Sequence, residues 1–360
     1  SPDFNEKNLY NYFSALVALG KNQNYESLKF FNSSKNLKES HESYIKKYIF
    51  SLIQSGKIKK AVNEIKTMKN EKFIDFFEGQ LLLVLNSLKN NDYQKSTYYL
   101  DNLKLHKEES TFEFIISSFL EQYIYLFNNN KIKTNLDYEF GNLGLINIAL
   151  QSCYLRKPNT DILFDEIIKF DDEGGSRYLF FYTNYLLSQS NFAKAKSIFK
   201  NINPLNSTLL VTQSKKWIDQ ENYDNFAKIF SCKNSNDLIA ELLFIISNLY
   251  SAEGELEKSN FYLNLSNYLN PKFKFNLVLQ SENYLEKEDF VKLKNVLKNF
   301  GKKNQVYYWY KIKKTTQIID KKSGSEQAFN YIKTKFDKIK NPSLKMIYEM
   351  GNIVKGFKKY

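Results

Sequence analysis

His41 and His106 stand 65 positions apart in this 360-residue chain, with neither an HExxH spacing nor a cysteine close enough to complete a metal site. Both read as surface or interfacial residues. Cys153 and Cys232 are 79 positions apart and form no CxxC pair, so both are expected to be ordinary buried small side chains, not ligands or nucleophiles. GxSxG, GxGxxG and GxxxxGK[ST] are absent, which removes the nucleophile elbow and the glycine-rich phosphate cradle. The most acidic stretch holds Asp161, Asp165, Glu166, Asp171, Asp172 and Glu173. A calcium loop starting at Asp171 would need Glu at its twelfth position, and Tyr182 stands there. A solvated inter-repeat loop is expected instead, with Gly174 and Gly175 supplying the turn. No catalytic residue, metal site or cofactor follows from these residues. The chain reads as a non-enzyme.

The composition favours helices. Hydrophobic residues make up 42% and aromatics 16%, enough for a large core, while only 12 Gly and 5 Pro are present for turns. The bias toward Lys, Asn, Phe, Tyr and Ile is what an AT-rich genome produces, and a bacterial source is expected. The net charge is +13, yet Gly301 to Tyr360 alone hold 15 Lys and no Arg against four acids. The basic character is therefore C-terminal. No apolar run approaches the ~18 residues of a membrane span.

The stretch Ser251–Leu263, "SAEGELEKSNFYL", places Gly254 between two runs of good helix formers. Gly inside a helix costs about 1 kcal/mol against Ala, so a turn between two helices is expected. Leu243, Ile246 and Tyr250 share a face of the first helix, and Leu256, Ser259, Leu263 and Ser266 a face of the second. The small or apolar position at Ser259 recurs at Leu28, Ala61, Ser96, Ala195, Phe226, Leu293 and Ala328, at spacings of 31 to 35 with one gap of 99. Tyr25, Ile58, Tyr93, Phe192, Tyr223, Leu256 and Phe290 repeat three residues earlier. The 99-residue gap is expected to hold two divergent hairpins. Their first helices fall at Phe112–Phe127 and Leu143–Tyr154, and their second limbs in "NNNKIKTNLDYEF" and "PNTDILFDEIIKF".

This period and its small-residue positions resemble the tetratricopeptide repeat over essentially the whole chain, although the family's Trp and Gly positions are mostly replaced, as by Leu243 and Ser247. The implied fold is all-α: a right-handed superhelical solenoid of about ten antiparallel helix hairpins, closed by a capping helix at Pro342–Phe357. The chain is read as one solenoid, 1–360. Its sub-regions are 1–109 (N-terminal repeats), 110–172 (divergent repeats), 173–341 (C-terminal repeats) and 342–360 (cap).

The resemblance also implies a concave groove lined by the first helix of each hairpin. Repeat position five maps to Phe13, Phe180, Val211, Phe244 and Val278, and position nine to Asn184, Lys215, Asn248, Glu282 and Gln317. Phe180, Asn184, Val211, Lys215, Phe244 and Asn248 are expected to form one continuous stripe that holds a peptide or helix of another protein, apolar anchors flanked by amides. The family's carboxylate clamp appears only as fragments, Arg177 with Asn184. A second class of partner is an anionic surface (membrane headgroups, an acidic protein or nucleic acid) bound through Lys311, Lys313, Lys314, Lys321 and Lys322. These lie beside Tyr307, Tyr308, Trp309 and Tyr310. The lack of Arg there disfavours nucleic acid. A protein partner is the main expectation, in a cytoplasmic or, after signal-peptide removal, a periplasmic setting.

Overall fold

A computed structural model describes residues 4–106, 111–134, 140–169, 175–200 and 202–357. Asp171, Asp172, Glu173 and Gly174 of the acidic stretch lie outside these. Among the described residues there are twenty α-helices and no strand. In chain order they begin α1 Glu6–Gly20, α2 Asn24–Ser33, α3 Glu42–Gln54, α4 Ile58–Lys66, α5 Phe77–Lys89, α6 Tyr93–Lys104 and α7 Phe112–Asn129. Next come α8 Asn142–Leu155, α9 Thr160–Ile167, α10 Gly175–Ser188, α11 Phe192–Lys200, α12 Leu209–Asp219 and α13 Asp224–Ile229. The last are α14 Ser235–Ala252, α15 Leu256–Leu269, α16 Asn276–Glu286, α17 Phe290–Leu297, α18 Gln305–Ser323, α19 Ser325–Phe336 and α20 Leu344–Phe357. The fold class is the all-α succession of helix hairpins that the repeat implies.

The turn that Gly254 marks is the same turn each time. Asn22, Gly56, Asn91, Ser190, Glu221, Gly254 and Glu288 all take positive φ, between 55° and 78°. Each stands just before the second helix of its hairpin. A left-handed residue ends the first helix and reverses the chain, and only Gly takes that conformation without steric cost. Asp92 and Asp289 then cap the following helices by accepting the Lys95 and Lys292 backbone N–H groups. The recurring small positions Leu28, Ala61, Ser96, Ala195, Phe226, Ser259, Leu293 and Ala328 are all buried. At Ser259 the helices approach closely enough for the Ser247 hydroxyl to donate to the Ser259 carbonyl at 2.9 Å.

One expected second limb is absent. Residues 130–134 and 140–141, after α7, are not helical, and 135–139 lie outside the described residues. The other divergent hairpin has both helices, α8 and α9, and the terminal helix appears as α20.

The chain divides into two compact units that do not follow the sub-regions read from the repeat. Unit 1 comprises 1–157 and 232–271; unit 2 comprises 158–231 and 272–360. Unit 1 is discontinuous because α14 packs on α5 and α7 while α15 packs on α3 and α4. Hairpin α14–α15 is thus seated on helices between about 120 and about 210 positions earlier in the sequence. Cys153 and Cys232, buried as expected, are joined in a disulfide, correcting the reading of two independent thiols. The bond ties the end of α8, where the chain leaves unit 1, to the segment just before α14, where it returns.

Unit 2 is built on α9–α13 and α16–α20. Phe180 and Phe181 of α10 pack with Phe230 and Phe273, the residues flanking the point where the chain leaves and re-enters the unit. A second cluster around Tyr307, Tyr310, Leu293 and Leu297 joins α16, α17 and α18. A third, around Trp309, Ile312, Ile332, Met346 and Met350, seats α20 against α18 and α19.

Candidate functional site

The expected stripe is not one open surface. Phe180, Asn184, Val211 and Lys215 belong to unit 2, whereas Phe244 and Asn248 belong to unit 1. Phe180 is fully buried, stacked on Phe226 at 5.4 Å and in contact with Phe273. Asn184 is buried and donates through Nδ2 to the Phe230 carbonyl at 2.9 Å. Val211 is buried, and Phe244 is only 8% exposed. Lys215 is half-buried and paired with Asp219 at 3.1 Å, and Asn248 is exposed. The physical reason is long-range. Segments distant in sequence cover these first helices, and a local period carries no information about them. Arg177, the clamp fragment, is buried against the rings of Phe181, Phe273 and Phe275 and donates to Asn276 Oδ1 at 2.9 Å.

In unit 1 the hairpin α14–α15 is held by helices of the same chain. Phe50 of α3 stacks on Phe261 of α15 with ring centroids 5.4 Å apart. The Gln54 amide donates to the Glu257 carbonyl at 2.6 Å, and Asn264 Nδ2 donates to the Ile53 carbonyl at 3.0 Å. Lys89, at the end of α5, lies over the Tyr268 ring and donates to the Tyr268 carbonyl. Its desolvation by burial lowers the Lys89 pKa, with Lys59 adding a smaller effect. Amides at helix ends and aromatics between helices are what the groove reading assigns to a bound peptide; here they hold a segment of the same chain.

In unit 2 a cleft opens between α18 and α20. It measures about 480 Å³ and is lined by Lys313, Gln317 and Asp320 from α18 and by Glu349, Asn352 and Ile353 from α20. Gln317 occupies repeat position nine. Asn352 stands 35 residues later, at the same position of the next repeat, and was missed because α20 reads as a cap. Glu349 forms one wall: it accepts from Trp309 Nε1 at 2.6 Å and from Lys313 at 2.8 Å. At the far end Ser325 donates to Asp320 at 2.6 Å. The result is an amide and carboxylate rim over an apolar patch of Ile353 and Phe357.

The five lysines of the basic patch are largely committed elsewhere. Lys313 pairs with Glu349 at 2.8 Å and Lys314 with Glu282 at 2.7 Å. Lys321 pairs with Glu288, and Lys322 lies 5.0 Å over the Phe290 ring. Lys311 is half-buried on α18. Three carboxylates thus offset three of the five charges. Tyr310 donates to Glu282 at 2.7 Å. Burial, then the Glu282 charge, holds its pKa far above the ordinary tyrosine value, so it serves as a donor and not as a base.

His106 pairs with Asp75 at 2.7 Å on the surface of unit 1, and the His41 ring packs 4.8 Å from that of Tyr12. Among the described residues no three His, Cys, Asp or Glu side chains converge as a metal site would require. No described helix is long and apolar enough to cross a membrane.

No family model and no curated protein matches the chain. Among solved structures it is similar to yeast Tom70, at 12% sequence identity over 98% of this chain and 84% of that one, with a TM-score of 0.26.

Proposed function

We propose that this protein is a non-enzymatic scaffold whose helix hairpins hold a peptide or helix of another protein. The observation that carries the reading is the seating of α15 on α3. There α3 accepts a helix of the same chain through an aromatic stack and amide-to-carbonyl bonds. The α18–α20 cleft offers the corresponding face unfilled, with Gln317 and Asn352 placed to bond a peptide backbone and Ile353 to take an apolar side chain. The disulfide adds a location to the proposal, since such bonds persist in oxidising compartments outside the reducing cytoplasm.

The test is affinity capture from the source organism with the wild type and with Asn352→Trp, which fills the cleft, each at low and high salt. Proteins retained at high salt and lost with the tryptophan variant support groove binding. Proteins indifferent to the variant but released by salt would indicate the anionic-surface alternative, because counterion-driven binding falls steeply with ionic strength. Capture of nothing specific by the wild type overturns the scaffold reading.

A further inference from the structure

Helix α1 turns an apolar face outward. Tyr10 is 68% exposed, and Phe13 and Val17 are each 59% exposed, although its other side is packed through Tyr12, Ala15 and Ala18. Val17 lies 33 residues before Phe50, so it is the repeat equivalent of the residue on which Phe261 stacks. The inner face that α15 covers on α3 therefore continues, uncovered, onto α1. The occupant must bring its own backbone hydrogen bonds, because those of α1 close within the helix and leave no edge for an extended strand. A helix meets that condition.

The pattern along the face says which helix. Glu6, Tyr10, Phe13, Val17 and Lys21 follow at spacings of 4, 3, 4 and 4, which keeps them on one side. A two-fold axis crossing α1 between Phe13 and Ser14 brings Tyr10 opposite Val17 of a second copy. The same axis brings Glu6 opposite its Lys21. Both ends are exposed, and neither Glu6 nor Lys21 has an ion-pair partner among the described residues. A foreign helix would need only the apolar residues. A face that also carries opposite charges at equal distances from its centre is complementary to itself. We infer that two copies of this chain associate through antiparallel packing of α1 on α1, with Phe13 at the axis and Glu6–Lys21 pairs at both ends. The inference does not rest on the groove reading, so a monomeric protein would leave that proposal standing.

Sedimentation velocity at low salt over a range of concentrations tests it, with helix content checked by circular dichroism. The wild type is expected to show a monomer–dimer equilibrium. Phe13→Glu should be monomeric throughout, with helix content unchanged because the residue faces outward. Glu6→Lys should weaken the dimer about five- to tenfold, since it sets two like-charge contacts where two exposed pairs stood. Glu6→Lys combined with Lys21→Glu should restore it. A monomeric wild type overturns the inference, whether or not a foreign helix covers α1. So does a dimer indifferent to Phe13→Glu or not rescued by the double charge reversal. If Phe13→Glu loses helix content, the charge-reversal pair decides alone.

Discussion

At the scale of single residues, the hairpin turns separate conformational demand from residue choice. Among the described residues, these seven turns require a left-handed residue, and of them Gly56 and Gly254 meet the demand with glycine. This is why Gly254 stands out in the sequence while Glu221 or Ser190 at the same position does not. Ser190→Gly is expected to stabilise unit 2 by about 0.5 to 1 kcal/mol, the steric cost removed less the extra freedom of glycine in the unfolded chain. Gly254→Ala should cost unit 1 about 1 kcal/mol, although open space surrounds its Cβ position. Segment-resolved amide exchange of each variant against the wild type checks both, and shifts of the same sign would contradict a shared left-handed requirement. Glu64 provides a titration test. Burial alone would raise its pKa, but Lys35 at 2.9 Å and Lys38 at 3.0 Å together hold it below the usual carboxylate value. A lowered native pKa stabilises the fold fully above the ordinary carboxylate range and progressively less as pH falls through the native value. Glu64→Gln should therefore cost about 2 kcal/mol at neutral pH, because it leaves buried Lys38 without its charge partner. The gap to wild type should close in acid. A gap independent of pH would mean that packing, not charge, explains the loss.

At the scale of elements, what the sequence reveals is what is local. All eight positions that the period picked out are buried, and it placed α8, α9 and α20 to within a few residues. It did not foresee that α14–α15, the best match to the repeat, packs on α3, α4, α5 and α7, far earlier in the sequence. Phe244 was assigned to a groove for that reason: an apolar residue at position five looks the same whether a partner or a distant helix covers it. Gln317 lines the α18–α20 cleft, and there the helix beside it, α20, is also its neighbour in sequence. Ser259→Leu tests the local part. It adds bulk where the Ser247 hydroxyl reaches the Ser259 carbonyl, and overpacking of this kind costs about 1 to 3 kcal/mol. Because α14 and α15 also carry the contact with α3 and α5, hydrogen exchange should quicken in the Phe50–Gln54 segment as well as in the hairpin. Exchange that quickens in the hairpin alone would mean that α14–α15 contributes little to the helices it sits on.

At the scale of the whole molecule, each unit is assembled from two separated stretches of chain, and the Cys153–Cys232 bond lies where unit 1 is interrupted. Contacts across such separations cost loop-closure entropy before they return any stability, which makes them slow to form and the first to loosen. A cross-link between residues 79 apart removes much of that cost from the unfolded state. For a loop of this length the chain-entropy account gives about 4.5 kcal/mol. Most of it should appear in unit 1, where both cysteines lie, and most directly in α14, which begins three residues after Cys232. Reduction, or Cys153→Ser with Cys232→Ser, is therefore expected to lower the stability of unit 1 by several kcal/mol. Amide exchange in α14–α15 should rise before it rises in α10–α12 of unit 2. Because two units unfold, hydrogen exchange resolved by segment is the right measurement, and a single melting temperature is not. If reduced and oxidised protein protect α14–α15 equally, side-chain contacts such as Phe50 on Phe261 hold the hairpin without help from the covalent tether.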